Sequence, residues 1–456
     1  MGILNDVFYL LLVISILVVI HEFGHFIVAR MTGMRAEIFA VGMGPRILGW
    51  NKITGFSFGK LAKDWDGQGH TDYRIALLPI GGYVKISGMI DESMDTDYIK
   101  QEPQPWEFRS KSTLQKAIVI SAGVIMNTLL AILFFSAIAL FNGKSLYKTT
   151  TIGYVESKSV AETIGFKPGD KILSINGTAI SDWEQFFQFV AEKDFGNNKY
   201  IKVKRLNTEV TLKAEGTKII KTISNQEHFG IFPSGTKVII MAVEPLKPAG
   251  KAGIKPGDTV IRINGEQICS VTQFIGIVKN HKNSSLYIEW DRKGKILGDS
   301  IKPTDTGIIG VQIDQDYKGP VKHVNYGLFE SINIGVDETY RTVVLFVGSV
   351  VQIIKGNASL KQSVGGPIMI AKSAAQSAQR GLSYFIRFMA VLSITLAVIN
   401  ILPFPALDGG HLVFIVIEGI IRREVPPKVK IVFQQIGFAV LMILMAYIIY
   451  NDFTRL

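Results

Sequence analysis

The sequence predicts an α-helical membrane protein with four transmembrane helices and a large α/β segment outside the bilayer. Two observations support this: four long apolar runs nearly free of charge, and a repeated pattern of turn, strand and Asn-Gly between the second and third runs. Of the 456 residues, 48% are hydrophobic. The formal net charge of +11 also fits nucleic-acid binding, but the basic residues flank apolar runs, so we interpret them as loops facing anionic lipid.

The four apolar runs are long enough to cross the hydrocarbon of a bilayer. The predicted spans are Phe8–Ala29, Ala117–Phe141, Phe388–Phe404 and Ile431–Ile449. The first span lacks a basic leading region and a small-residue cleavage site, so we expect a retained helix, not a signal peptide. A fifth run, Val343–Ile354, is too short to cross and predicts an interfacial or packed helix.

Basic residues predict the orientation of the spans. They follow the first span and fill the connection between the last two, at Arg30, Arg35, Arg46, Arg422, Arg423, Lys428 and Lys430. We therefore expect both of these loops in the cytoplasm, and both chain termini and the segment from about 142 to 381 outside.

The first span contains a metal-binding pattern, His21-Glu22-Phe-Gly-His25. On a helix the two histidines project from one face, so both can bind one Zn²⁺ while Glu22 reaches the water that attacks. Ionisable residues within a span are costly and indicate function; the alternative is that they lie at the interface, beyond the hydrocarbon. The single cysteine, Cys269, excludes a multi-thiolate site, so we expect His, Asp or Glu ligands.

A third ligand is predicted at the end of the third span, in Asn400-Ile-Leu-Pro-Phe-Pro-Ala-Leu-Asp408-Gly-Gly-His411. The two prolines break the helix, and irregular backbone at membrane depth is tolerated where it lines a cavity. Asp408 is the favoured ligand because the glycines after it allow close approach to a metal. Alternatively Asp408 is an ordinary helix cap, and His411 is the ligand instead.

Together, His21-Glu22-Phe-Gly-His25 and Leu407-Asp408-Gly-Gly resemble the site-2 protease family of intramembrane metalloproteases. The resemblance implies that His21, His25 and Asp408 hold Zn²⁺, that Glu22 is the catalytic base, and that Asn400 holds the substrate backbone or the oxyanion. It also implies a bacterial inner membrane protein whose active site faces the cytoplasm. The implied substrates are single-span membrane proteins, such as an anti-sigma factor already trimmed by another protease, or remnant signal peptides.

The segment Arg74–Met89 predicts two short strands around Gly81-Gly82 and is too apolar for an ordinary loop. We expect it to dip towards the bilayer and to offer Tyr83, Val84, Lys85 and Ile86 as an edge strand for an unwound substrate. The family is similar here, with a re-entrant β element. The alternative is a soluble hairpin packed on the metal domain. Gly42-Met-Gly44 is expected to lie in another strand.

The outer segment repeats itself. Lys167-Pro-Gly-Asp170 and a later Asn176-Gly177 parallel Lys255-Pro-Gly-Asp258 and Asn264-Gly265. This pattern resembles tandem PDZ domains, which bind extended peptides by strand addition. They are expected in the periplasm, as a substrate filter over the active site; alternatively they are a structural cap. Phe229–Pro233 is expected to begin the second domain's peptide groove.

The predicted divisions are 1–30 for the first transmembrane helix, 31–112 for the cytoplasmic or re-entrant β region, 113–142 for the second transmembrane helix, 143–228 and 229–316 for the two PDZ domains, 317–381 for connecting helices, 382–421 for the third transmembrane helix with its Leu-Asp-Gly-Gly motif, and 422–456 for the fourth. The resulting prediction is a zinc metalloendopeptidase. Its competitors are a catalytically inactive membrane scaffold that presents PDZ domains, and a transporter, which the lack of symmetry among the spans disfavours.

Overall fold

The computed structural model describes residues 3–61, 67–89, 102–192, 196–219, 229–356 and 365–455. The chain divides into two compact units. The described residues within 1–143, 325–347 and 364–456 form the first, and those within 144–324 and 348–356 form the second.

The first unit is built on long helices. They are α1 (Ile3–Met31), α2 (Thr113–Asn142), α7 (Leu328–Ile354), α8 (Pro367–Arg380), α9 (Leu382–Ile401), α10 (Asp408–Ile421) and α11 (Pro427–Arg455). The last turns of α7, from residue 348, are counted with the second unit. Four of these are long and apolar enough to cross a membrane: α1, α2, α9 and α11. The prediction of four spans is therefore confirmed at this level.

The third span ends earlier than predicted. Helix α9 stops at Ile401, and Leu402 is extended with ψ 143°. The residue before a proline is disfavoured in the helical region, so Pro403 ends the helix three residues before the predicted Phe404.

Two further helices pack on the span helices. Gly335 of α7 lies against Ser136 of α2, where no Cβ would fit. Ala374 of α8 is fully buried beside Val13 of α1. The amino end of α8 is capped from α11, because Asp452 accepts from the backbone N–H groups of Gly366 at 2.9 Å and Ile368 at 3.0 Å. The run at Val343–Ile354 is the second half of α7.

A three-stranded sheet follows α1, in the order β2 (Gly55–Phe58), β1 (Ala36–Asn51) and β3 (Asp72–Ile86). The stretch 36–41 pairs with 82–86 and also with 72–75, as at Phe39–Val84 and Phe39–Tyr73. The two halves of β3 therefore flank β1 instead of each other, and the predicted hairpin around Gly81-Gly82 was wrong. Gly82 allows β3 to approach β1 closely, since a Cβ at this position would lie 2.6 Å from the carbonyl oxygen of Ala40.

The second unit contains the two sequence repeats. The first has β5 (Ile152–Val155), α3 (Val160–Ile164), β6 (Lys171–Ile175), β7 (Thr178–Ala179), α4 (Trp183–Phe187), β8 (Lys199–Arg205), β9 (Thr208–Ala214) and β10 (Ile231–Pro233). The second has β11 (Thr236–Val243), α5 (Pro248–Lys251), β12 (Thr259–Ile263), β13 (Glu266–Gln267), α6 (Val271–Asn280), β14 (Leu286–Arg292), β15 (Lys295–Ile301) and β16 (Val311–Tyr317). Strands β4 (Lys144–Tyr147) and β17 (Val321–Val324) pair with each other.

The repeats share one stabilising contact. Asp170 accepts from Arg205 Nε at 2.8 Å, and Asp258 accepts from Arg292 Nε at 2.8 Å. Both aspartates are buried, so each needs the paired charge. The hydrogen bond from each arginine to its aspartate raises the pKa of that guanidinium above its usual range.

The segment Phe229–Pro233 was assigned to the wrong repeat. Strand β10 pairs with β5, with Ile231 opposite Val155, and Ile231 is 4% exposed within the first repeat's core. That pairing joins residues far apart in sequence, which a local pattern does not reveal. The predicted boundary residue 228 lies outside the described residues.

Candidate metal centre

Helix α1 brings His21 and His25 together. Their Nε2 atoms are 3.2 Å apart, and the residues are 7% and 8% exposed. Residues four apart lie on one helix face, so the backbone alone fixes this pair.

Asp408, the first residue of α10, reaches the same point from the end of the turn that follows α9. Its Oδ2 atom lies 3.0 Å from His21 Nε2 and 3.4 Å from His25 Nε2. Gly409 and Gly410 permit the turn, because a Cβ on Gly409 would collide with the Leu402 carbonyl and one on Gly410 would lie 2.5 Å from the Phe404 carbonyl. The glycines thus fold the loop tightly and direct Asp408 at the histidines.

Helix α2 forms the opposite wall. A Cβ on Gly123 would lie 2.5 Å from both His21 Cε1 and His25 Nε2. Asn127, fully buried, places its Nδ2 atom 3.4 Å from His21 Nδ1. Local sequence patterns place neither residue in the site, although Asn127 is a polar point in an apolar span and Gly123 precedes it by one turn.

These donor atoms fit a zinc ion. His25 Nδ1 donates to the Val119 carbonyl oxygen at 2.8 Å, which leaves the Nε2 lone pair directed at the centre. Asp408 Oδ2 has no hydrogen-bond partner among the described residues. Two imidazoles and one carboxylate are a donor set found at catalytic zinc sites, where a fourth position stays open.

The other residues considered for the site, Asn400, Glu22 and His411, lie at different distances from the proposed metal ligands. Asn400 on α9 has its Nδ2 atom 3.4 Å from His21 Nε2. Glu22 is half-buried on α1, and a Cβ on Gly82 would lie 3.8 Å from its Cγ. His411 instead contacts Gln434 of α11, at 3.1 Å between Nε2 atoms, and does not belong to the three-residue cluster.

The edge-strand residues follow Gly82 directly along β3. Tyr83 and Lys85 are half-buried, whereas Val84 and Ile86 are 9% and 3% exposed and pack in the core beneath the sheet. Within the part of the chain that the structure describes, the stretch 82–86 is paired only with 36–41.

Two histidines one turn apart with an adjacent glutamate, a carboxylate from another helix, and walls made of span-length helices define a metallopeptidase site within a membrane domain. The family model described as Peptidase family M50 matches residues 9–444. The chain belongs to this peptidase family. The predictions of the family and of protease activity are thereby confirmed.

Relatives match over nearly their whole length. A protein titled "Putative zinc metalloprotease" from Vibrio cholerae is 32% identical, with 98% of each chain covered. "Protease RseP" from Yersinia pestis is 30% identical, with 100% of each chain covered. "Regulator of sigma-E protease RseP" from Escherichia coli is 29% identical, with 99% of each chain covered.

Among solved structures, the PDZ domain of the SdrC-like protein from Listeria monocytogenes is 26% identical and covers 17% of this chain and 85% of its own. Its TM-score is 0.16, so this likeness carries no argument about the fold.

Proposed function

We propose that this protein is an intramembrane zinc metalloendopeptidase that hydrolyses peptide bonds in the transmembrane segments of single-span proteins. The observation that carries the proposal is the convergence of His21, His25 and Asp408 between helices of span length, with Oδ2 of Asp408 within 3.4 Å of both Nε2 atoms. The names of the relatives, which include a zinc metalloprotease, support zinc as the metal.

His21, His25 and Asp408 would hold the zinc ion, and Glu22 would act as the base. Zinc, when bound, supplies Lewis-acid activation of a water molecule and of the scissile carbonyl. Glu22 accepts the proton that the attacking water loses and passes it to the nitrogen of the leaving amine. Glu22 follows His21 directly on α1, in the same turn as the proposed histidine ligands.

A transmembrane substrate must be unwound before cleavage, because a helix hides its carbonyls in hydrogen bonds. The stretch Tyr83–Ile86 is suited to pair with the unwound chain, since it continues from Gly82, which lies against Glu22. An added strand there would run past the catalytic base. The amide of Asn400, close to His21, is suited to donate to the substrate backbone or to the oxyanion.

The two repeats of the second unit are proposed to be tandem PDZ domains that select substrates. The repeated aspartate–arginine contact and the strand–helix order support two copies of one fold. The basic residues that flank the spans favour an inner membrane protein with its catalytic end towards the cytoplasm and its PDZ domains in the periplasm. The names of the relatives favour an anti-sigma factor as one substrate, and remnant signal peptides remain a second candidate.

The test is co-expression with tagged single-span proteins. The wild type should shorten a substrate, whereas Glu22→Gln should leave it intact. Glu209→Gln, an exposed glutamate of the second unit, serves as the matched control and should cleave normally. If Glu22→Gln cleaves as well as the wild type, the proposed mechanism is wrong. If neither protein cleaves any candidate but substrates still bind, the inactive scaffold is favoured.

A further inference from the structure

A cleft of about 320 Å³ lies between the amino end of α2, the carboxyl end of α10 and the turn that leads to α11. A second cavity of about 200 Å³ adjoins it and shares part of its lining. The shared residues are Lys116, Ile415, Glu418 and Glu424. Neither cavity is lined by a proposed metal ligand.

Lys116 is a buried cation without an adequate partner. It stands in the first turns of α2 and is 9% exposed. Its nearest carboxylate oxygen, Oε1 of Glu424, is 3.7 Å away, beyond hydrogen-bond distance. Among the described residues its ammonium donates no hydrogen bond, and its other close neighbour is the ring of Phe108, 5.8 Å from Nζ. A buried charge in a span helix is costly unless an anion accompanies it.

The carboxylates of the cleft leave room for such an anion. Glu418 is already satisfied, because its Oε1 accepts from Lys430 Nζ at 2.6 Å and from the Val425 backbone N–H at 2.9 Å. The Glu424 side chain is 66% exposed and free to turn towards water. Lys116 is therefore the cation that an incoming ligand would meet.

The mouth of the cleft is cationic and its rim is apolar. Arg422 and Arg423 line the mouth, and neither makes an ion pair with a described residue. Exposed aliphatic side chains lie close in sequence to the lining residues on the two helices: Leu114, Ile118, Ile420 and Ile421.

We propose that this cleft binds the phosphate group of an anionic phospholipid. The phosphate would lie between Lys116 at the base and the guanidinium groups of Arg422 and Arg423 at the mouth, with Glu424 displaced. Arginine and lysine together favour phosphate, and basic residues at the ends of spans attract anionic lipid. The aliphatic rim is placed for acyl chains, which favours a lipid over free phosphate.

The position of the cleft gives the lipid a structural role. Helices α2 and α10 touch at this end, since a Cβ on Gly419 would lie 3.0 Å from Thr113 Cγ2. The same two helices carry Gly123 and Asp408 of the metal centre. A phosphate shared by both helices would hold them together.

The experiment uses the full chain in nanodiscs made of phosphatidylcholine with a minor fraction of phosphatidylglycerol. Lipids that stay bound after transfer to detergent are counted by native mass spectrometry. The wild type should retain phosphatidylglycerol preferentially. Lys116→Gln and Arg422→Gln should each weaken that retention roughly fivefold. That factor is the contribution that one Lys or Arg near an anionic membrane surface makes to binding.

Two further variants keep the result interpretable. Glu424→Gln removes the competing carboxylate at an exposed position and should strengthen retention. Lys428→Gln removes a cation from the first turn of α11, outside the lining of either cavity, and should change nothing. Thermal unfolding in pure phosphatidylcholine checks that each variant is folded.

Equal retention by the wild type, Lys116→Gln and Glu424→Gln would overturn the proposal. Inorganic phosphate is added in a separate arm. If phosphate at millimolar concentration displaces the lipid fully, the cleft is a free-anion site and the lipid assignment is wrong. If Lys428→Gln loses as much lipid as Lys116→Gln, the binding is a general surface effect and the cleft has no special role.

Discussion

His25 on the first span is oriented by Val119 on the second, through a hydrogen bond of 2.8 Å from Nδ1 to the backbone carbonyl oxygen. A carbonyl oxygen only accepts, so Nδ1 carries the proton and Nε2 is left to bind metal. A backbone group thus fixes the tautomer of a side chain far away in sequence. The metal centre therefore depends on how closely α1 and α2 pack.

Gly123 makes that close packing possible. Gly123→Ala would place a Cβ 2.5 Å from both imidazoles, so the helices must separate or the rings must turn. We expect zinc affinity to fall roughly 10- to 100-fold, the usual cost of disturbing the groups that support metal ligands. Zinc per chain, measured against a graded series of chelator concentrations, checks this.

Gly276→Ala is the matched control, because position 276 lies in helix α6 with nothing within 4 Å of the added Cβ. Zinc binding by Gly123→Ala as tight as in this control would contradict the predicted packing requirement.

Asn400 is predicted to stabilise the reacting substrate without contributing to zinc binding. Its Nδ2 atom lies 3.4 Å from His21 Nε2, where it could donate to a substrate held at the proposed metal centre. Asn400→Ala should lower kcat roughly 100-fold, as does loss of one oxyanion donor, while zinc content stays at the wild-type level. Thr395→Ala is the control, since among the described residues that hydroxyl bonds only to the Val391 carbonyl of its own helix. Loss of zinc from Asn400→Ala would assign it to the metal site instead.

The edge of β3 gives a prediction that depends on strand geometry. Neighbouring residues of a strand direct their N–H groups to opposite edges. One of the two variants Tyr83→Pro and Val84→Pro should therefore remove a hydrogen-bond donor from the free edge of β3. That variant should lose cleavage but retain zinc. The other should break the pairing with Ala36–Val41 and lower the unfolding temperature. Normal turnover in both variants would exclude strand addition at this edge.

Asp182 predicts a pH dependence in the second unit. Burial alone would raise its pKa, but hydrogen bonds from the Gln185 backbone and Ser181 and the charge of Lys148 lower the pKa below its usual range. A lowered folded-state pKa contributes stability that is present above the usual aspartate value of about 4 and is lost as pH falls through the folded value.

Asp182→Asn should therefore destabilise the first repeat near neutral pH, and the difference from the wild type should shrink as the pH falls through the lowered folded-state pKa of Asp182. Hydrogen exchange of α4 and β6 in the full chain measures it, with the exposed Asp299→Asn as control. A difference that stays constant over the whole pH range would contradict this assignment.

The sequence predicted those parts of the structure that local spacing determines. The four spans follow from apolar length, and the nearness of His21 to His25 follows from the helical repeat. Asp408 was found because Pro403 and Pro405 mark a break in a span and two glycines follow it.

Contacts between distant segments were not predictable in this way. Gly123 and Asn127 join the site only because α2 packs on α1. The pair Gly81-Gly82 predicts a turn, whereas in the structure Gly82 lets β3 approach β1 closely. Likewise Phe229–Pro233 completes the first repeat by pairing with a strand at the repeat's beginning.

The central claim is that His21, His25 and Asp408 bind the metal and that Glu22 acts on the substrate. The most direct test is zinc content per purified chain in the wild type, Glu22→Gln and Asp408→Ala, with cleavage measured on the same samples. We predict full zinc with cleavage for the wild type, full zinc without cleavage for Glu22→Gln, and little zinc for Asp408→Ala. Full zinc in Asp408→Ala, or cleavage by Glu22→Gln, would contradict the claim.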